Sequence, residues 1–531
     1  MTPFRVTSLS ERANSSPTVY LERGDYRMRA PIRRPPPEFF RDQVRPAPRR
    51  DGHDLTKGVT LLLLLLALAA FTCFGMAYYL FATRWAHQLV SKTPNEANEV
   101  SQANDSHTLE SDLGISLGEK YISYLPHSGF HNQRIAFENA LVLAFALGRT
   151  LLVPPIRLAN KPIRYVEFET LVRHHELSSK EGLQHCLRVA PYISQPLECF
   201  GYFESSYLPW SWLFNLSVTT GRQRLIQLPN VSQRWVREHF HLGDGDIHII
   251  RDVDAYQFRF LDDDADSSPH SDRYSQDVYF SQLATVQERL LQLGTVFGTS
   301  RLRLKKPETM DYQSTIRHNV IFANNALREV AEAIALTLSG HFIGVHIRIS
   351  DGYFKSDAER IVRFIWWQLL QNTLGFSTAE TCRLESRFSG LTPSHCTPER
   401  VCSDNCSSTF GHLSVPLLPP KLRCRSPLHR KEADNLLNTP LYVATDLQDP
   451  GSDATLFLLR QTFPCIFFLG DFPEETRRLQ SLRSPYDGVP LQPFLLPLID
   501  AMIAAKALTF VGTKGSTFSA FVTKLWESYH K

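Results

Sequence analysis

The sequence predicts an α/β protein with two Rossmann-like lobes facing each other across a cleft, carried behind a single N-terminal transmembrane helix. Three observations predict it. Tyr121–Pro155 reads as an apolar strand, a small-residue turn, a helix with an apolar stripe (Ile135, Leu141, Ala144, Phe145) and a second strand at Thr150–Val153. Between Phe342 and Trp526 short apolar strands alternate with helical stretches, the pattern of a parallel sheet covered on both faces. Gly58–Thr83 carries no charge and is long enough to cross a bilayer.

Residues 1–57 are rich in Pro and Arg (Pro31–Pro37, Pro46–Arg50) and read as a disordered tail. Residues 58–82 are the anchor; they start too late for a secretory signal peptide. Arg33, Arg34, Arg45, Arg49, Arg50 and Lys57 precede the span, whereas Glu96, Glu99, Asp105, Glu110 and Asp112 follow it. The positive-inside rule therefore puts the tail in the cytosol and the remainder in the lumen, a single-pass type II arrangement of the ER or Golgi membrane. Residues 83–118 are polar and read as a stem. Residues 119–531 are too long for one ordinary core and divide into an N-terminal lobe, 119–330, and a C-terminal lobe, 331–531, with a Cys-rich insertion at 376–440.

Eight of the nine cysteines follow the span (Cys186, Cys199, Cys382, Cys396, Cys402, Cys406, Cys424, Cys465), and in an oxidising lumen they read as disulfides rather than metal ligands. The sequons at Asn104, Asn215, Asn230 and Asn405 fit that compartment. A net charge of +3 over 531 residues is near neutral and argues against a nucleic-acid partner; the lipid bilayer is the partner of the anchor alone.

Three polar clusters fall at the C-terminal ends of predicted strands: Ser128–Arg134, His346–Gly352 and Gly512–Ser519. In the first, Gly129 lets a ligand approach the backbone and Asn132 can donate to phosphate or sugar oxygens. In the second, Arg348 suits a diphosphate that gains charge as its bond to a sugar breaks; a purely structural pair with Asp351 is the alternative. The third is a Gly-rich turn opening a helix, able to cradle phosphate or to serve only as a cap through Ser516 or Thr517. Asp262–Asp266 imitates a metal-binding acidic run but reads as a solvated loop, and Trp366–Trp367 read as core.

These residues carry a resemblance. SGFHNQRIAFENALVLAFALGRTLLVPP, HIRISD and LIDAMIAAKALTFVGTKGSTFSAFV are similar, in that order, to motifs of the GDP-fucose protein O-fucosyltransferase family. The resemblance implies a GT-B fold and inverting transfer of L-fucose from GDP-fucose, with no metal. It implies that Arg348 stabilises the departing GDP and Asn132 positions donor and acceptor. His346 and Asp500 would contact the nucleotide, and Ser516, Thr517 and Phe518 would hold guanine and phosphate. Gly129, Phe130, His131 and Asp351 complete the implied donor site. Ser128 stands where some members have a glutamate base, leaving His127, His131, Asp351 or a loosely ionic route without a strong base. The implied acceptor is a Ser or Thr of a secretory protein; a glycan acceptor, or a non-catalytic binding protein that keeps the fold, are the alternatives.

Overall fold

A computed structural model of the chain describes residues 18–21, 24–27, 118–189, 192–265, 273–389 and 422–530. The anchor read at 58–82, nearly all of the stem and the middle of the Cys-rich insertion lie outside those residues. Among the described residues no helix is long and apolar enough to cross a membrane. Of the tail, an antiparallel hairpin is described, Thr18–Leu21 with Gly24–Arg27. It departs from the structureless reading because Thr18, Val19, Tyr20 and Tyr26 are strand formers, which the tail's average composition hides.

The βαβ unit is present as β1 (Tyr121–Ser123), α1 (Phe130–Leu147) and β2 (Thr150–Val153). α1 is not the one-striped helix its spacing predicts: every residue from Gln133 to Ala144 is buried. The reason is that the helix is enclosed, by its own sheet on one side and by the helices Pro307–Asn319 and Thr517–His530 on others. With β3 (Leu225–Gln227), β4 (Ile247–Ile250) and β5 (Leu290–Leu293) the strands form an all-parallel sheet in the order β3-β2-β1-β5-β4.

The C-terminal lobe carries a second parallel sheet. Its strands are β6 (Ile343–Ile347), β7 (Leu441–Thr445), β8 (Ile466–Phe467) and β9 (Thr509–Gly512), in the order β8-β7-β6-β9. Alternation along β6 divides its side chains. Ile343, Val345 and Ile347 pack with the fully buried Trp366 and Trp367, which are core as their helical pattern indicates. Gly344 and His346 face the other layer, made by α3 (Gln492–Ala505) and α4 (Thr517–His530). α2 (Asn325–Thr337) packs on α3. One apolar cluster runs through both lobes, from α1 by way of Phe214, Phe322 and Phe521 to α3 and α4.

Both sheets reverse direction at their first strand. In the first, the chain moves outward through β2 and β3 and returns to pair β5 on the other side of β1; in the second, β9 pairs β6 on the side opposite β7. Crevices at such reversals, at the carboxyl ends of the strands, are where open α/β sheets bind ligands. The loops after β1, β6 and β9 are the three polar clusters singled out in the sequence.

Two disulfides are formed among the described residues, Cys186–Cys199 and Cys424–Cys465, and Cys382 is also disulfide-bonded. The solvated reading of Asp262–Asp266 is corrected at its first residue. Asp262 is buried, accepting from the backbone N–H of Lys305 and Lys306 and from the Thr309 hydroxyl at the start of helix Pro307–Asn319. A short acidic run can be mostly solvated while one member is spent on a helix N-terminus, where its charge meets the positive end of the dipole.

Candidate active site

The loop after β6 is held by its neighbours on both sides. The Thr513 hydroxyl donates to the His346 carbonyl and accepts from the Arg348 N–H, each at 3.0 Å. On the other side the Asp446 carboxylate, just past β7, accepts from the N–H groups of Ile349 (2.9 Å) and Ser350 (3.1 Å). Thr513 falls within the third polar cluster of the sequence, whereas Asp446 lies in none of the three. A polar residue directly after a parallel strand, beside a strand carrying a site, is the signal that could have found Asp446.

Arg348 is fixed as a fork. Its Nε and Nη2 donate to the two carboxylate oxygens of Asp351 at 3.2 and 3.1 Å, and its guanidinium lies 4.9 Å from the centre of the Phe354 ring. The structural pairing weighed in the sequence is therefore present. It does not remove Arg348 from ligand chemistry, because the Asp351 side chain is 58 % exposed, and exposed pairs of this kind contribute about 0–1 kcal/mol. A desolvated diphosphate competes well with so weak a partner.

His346 is buried, its Nδ1 2.7 Å from the Ser519 hydroxyl and its ring stacked on Phe518 at 4.2 Å. Burial, helped by the nearby Arg348 charge, pushes its pKa down to about 3. Phe518 also meets His131 edge-on at 5.1 Å, and Phe521 lies 5.0 Å from the same ring. The first and third clusters thus touch through His131, across the two lobes. Burial, then the charges of Arg134, His346 and Arg348, hold the His131 pKa well below the usual range, and its Nδ1 has no hydrogen-bond partner among the described residues. Both imidazoles are neutral near pH 7, so Arg348 supplies the full positive charge beside them.

The Gly-rich turn is shaped by sterics. A Cβ at Gly512 would lie 2.7 Å from that of Ser519, and Gly515 adopts φ +82, so both positions favour glycine. Ser516 is buried, and its hydroxyl accepts from the Ser519 N–H as the cap of α4. Thr517 opens that helix beside Phe518.

Gly129 caps α1 without a side-chain hydrogen bond, and the first turn of α1 holds no acidic residue. Asn132 has only a backbone bond, its N–H to the Gly129 carbonyl, leaving its amide uncommitted among the described residues. Phe130 lies against Phe214 and Phe322 in an aromatic stack, so its contribution to the cleft is backbone rather than ring. Asp500, on α3, accepts from the Tyr442 hydroxyl, and burial raises its pKa to about 7 against that hydrogen bond. Among the described residues His185, Cys186 and Cys199 could group around a metal, but the two sulfurs are joined to each other.

No known protein-family profile matches the chain. A 40-residue stretch is 58 % identical to O-fucosyltransferase 30 of Arabidopsis thaliana, spanning 8 % of the chain and 8 % of that relative. The resemblance read from the three motifs is thus also carried by a curated relative, over a short stretch. Solved structures titled POFUT1, in apo form and in complex with GDP-fucose, align at 15 % identity with a TM-score of 0.33. They cover 78 % and 77 % of this chain and 97 % and 94 % of theirs.

Proposed function

We propose that the chain is a glycosyltransferase that moves L-fucose from GDP-fucose to an acceptor hydroxyl, with inversion at the anomeric carbon and without a metal. The observation that carries this reading is the meeting of three clusters where the two lobes touch, with His131 against Phe518, Phe518 against His346, and Arg348 two residues on. The acceptor oxygen attacks the anomeric carbon as the bond from that carbon to the diphosphate oxygen lengthens. Negative charge then grows on the diphosphate, where Arg348 and the N-terminus of α4 can absorb it. Asn132, with its uncommitted amide, is suited to orient donor and acceptor.

Among the three candidate bases the geometry favours His131. Both ring nitrogens of His127 are within hydrogen-bond distance of side-chain hydroxyls, and Asp351 is engaged with Arg348. The His131 Nδ1 has no partner among the described residues. Its low basicity matches a loosely ionic transition state, in which the acceptor proton leaves late. By the resemblance, the acceptor is a Ser or Thr of a protein in the ER or Golgi lumen, reached from a membrane anchor at 58–82.

The test is GDP release from GDP-fucose by the full-length protein, with GDP-mannose as control. Arg348→Ala is expected to lower turnover by about 10²–10³-fold, the cost of losing one preorganised group that stabilises transition-state charge. A protein that binds neither GDP nor GDP-fucose would sink the reading.

A further inference from the structure

Ser128 is a non-glycine residue at φ +66, immediately before the N-cap of α1. That conformation strains a serine through its Cβ, and a glycine not comparably. Three bonds around it hold the loop: Ser128 N–H to the Ile163 carbonyl (2.6 Å), Gln133 Nε2 to the Ser128 carbonyl (3.1 Å), and Gln133 Nε2 to the Arg157 carbonyl (2.8 Å). None of them involves the serine side chain, and glycine would keep all three. What glycine would lack is the hydroxyl.

That hydroxyl is oriented from below. His127 is 3 % exposed, with Nδ1 2.7 Å from Ser128 Oγ and Nε2 2.6 Å from Thr295 Oγ1. A hydrogen count fixes the tautomer. Thr295 is buried; its Oγ1 already accepts from the Phe297 N–H, and its own hydroxyl hydrogen has no recipient other than His127 among the described residues. If Nε2 carried the ring proton, the Thr295 hydroxyl hydrogen would be buried without an acceptor, which folded proteins avoid. Thr295 therefore donates to Nε2, and Nδ1–H donates to Ser128 Oγ. The Thr295 backbone is held in turn, its N–H donating to Asp252 at 2.8 Å. In this arrangement Ser128 Oγ accepts from the protein and its hydrogen is left over. Beside it is the N-terminus of α1, an 18-residue helix with no side-chain cap.

We propose that Ser128 is a ligand-binding residue of the same cleft, donating its hydroxyl hydrogen to a phosphate oxygen of the nucleotide, with His127 and Thr295 as the positioning residues that keep that hydrogen free. The assignment rests on the function proposed above. It also removes Ser128 and His127 from any general-base role, because the imidazole proton already points at the serine.

The test measures GDP and GDP-fucose affinity by calorimetry, and thermal unfolding, on full-length wild-type protein, Ser128→Gly and Thr295→Val. Ser128→Gly relieves the positive-φ strain but also takes away the acceptor of the His127 Nδ1–H, two effects of opposite sign, so its melting temperature is expected to move little while both affinities fall about 10-fold, the scale of one hydrogen bond to a charged oxygen. Thr295→Val, which touches no ligand, removes the donor that holds Nε2 unprotonated, so His127 is no longer confined to the tautomer that leaves the serine hydrogen free, and the variant is expected to weaken both ligands by less than Ser128→Gly does. A Ser128→Gly protein that binds both as wild type does, or that melts lower with unchanged affinity, overturns the assignment and makes the serine structural. A loss confined to GDP-fucose moves the contact to the sugar and overturns the phosphate assignment. Wild-type protein that binds no GDP fails the parent reading, a result distinct from these.

Discussion

Asp446, just past β7, holds the loop that carries Arg348, from a place about a hundred positions further along the chain, a partnership that one sequence does not reveal. Its carboxylate holds the two N–H groups that follow Arg348, so Asp446→Ala is expected to cost about 1–3 kcal/mol, leaving those donors unpaired. Turnover should fall through kcat, with GDP affinity nearly unchanged; equal losses in both would instead make Asp446 part of the binding surface. Asp500 allows a sign to be tested. Its folded-state pKa of about 7 exceeds the ordinary carboxyl value of about 4. The folded state therefore holds the proton more tightly than the unfolded state, and this residue's contribution to stability falls as pH rises between those values. Asp500→Asn is expected to raise the melting temperature of the ligand-free protein at pH 8 and to converge with wild type near pH 4. A difference independent of pH would remove burial as the cause.

Elements were more legible than partners. The strands at Thr150–Val153, Ile343–Ile347 and Thr509–Gly512 lie within one or two residues of their reading, because runs of Val, Ile, Leu and Phe bounded by turn residues suit strands buried on both faces. α1 was recognised as a helix, but its wrapping by other helices was not, since periodicity reports burial on one face and cannot say what covers the others. On the covered side Glu138 receives Arg134 from its own helix and Lys524 of α4 at 3.5 Å, while Arg134 lies 4.6 Å over the Phe521 ring. Burial alone would raise the Glu138 pKa; Arg134 and Lys524 outweigh it and hold it below the usual carboxylate value. The stability it contributes is present above the ordinary carboxyl range and is lost as pH falls through the lowered value. Glu138→Gln leaves the buried Arg134 and the partly exposed Lys524 facing a neutral amide, which is expected to cost about 3–5 kcal/mol. Chemical denaturation at pH 7 measures it; a cost under about 1 kcal/mol would mean that water reaches the pair and the helices are held by packing alone.

On the scale of the whole molecule, the sequence divides the chain into two lobes, but residues far apart along the chain fasten them. Asp487, 7 % exposed, lies in the segment before α3 and grips the N-terminal lobe. Its carboxylate meets Lys180 Nζ at 2.7 Å, Ser206 Oγ at 3.0 Å and the Tyr207 N–H at 3.1 Å; Tyr202 donates to its carbonyl, and the adjacent Ser484 donates to the Tyr207 carbonyl. Lys180 also lies 4.5 Å over the Tyr202 ring, and burial lowers its pKa despite the carboxylate. Local periodicity could not show this, because Lys180 and Asp487 are 307 positions apart. Such a fastening makes the lobes one unit, so donor contacts on β6 and α4 keep their place relative to α1. Replacing Asp487 by Ala leaves the Lys180 ammonium without its counter-ion, with the Ser205 carbonyl still in reach, and leaves three further donors, Ser206 Oγ and the N–H groups of Tyr207 and Val489, without their acceptor; it is expected to cost about 3–5 kcal/mol. Lys180→Met leaves the carboxylate its other donors and should cost less. The double variant should recover part of the loss from Asp487→Ala, because the stranded cation is gone; a double variant worse by the full sum of the two would show that the residues do not act as a pair. Calorimetry of the four proteins decides it. If the fastening couples the lobes, Asp487→Ala should also broaden the main unfolding transition or split it in two, whereas an unchanged single transition would assign the coupling to the α1–α4 contact instead.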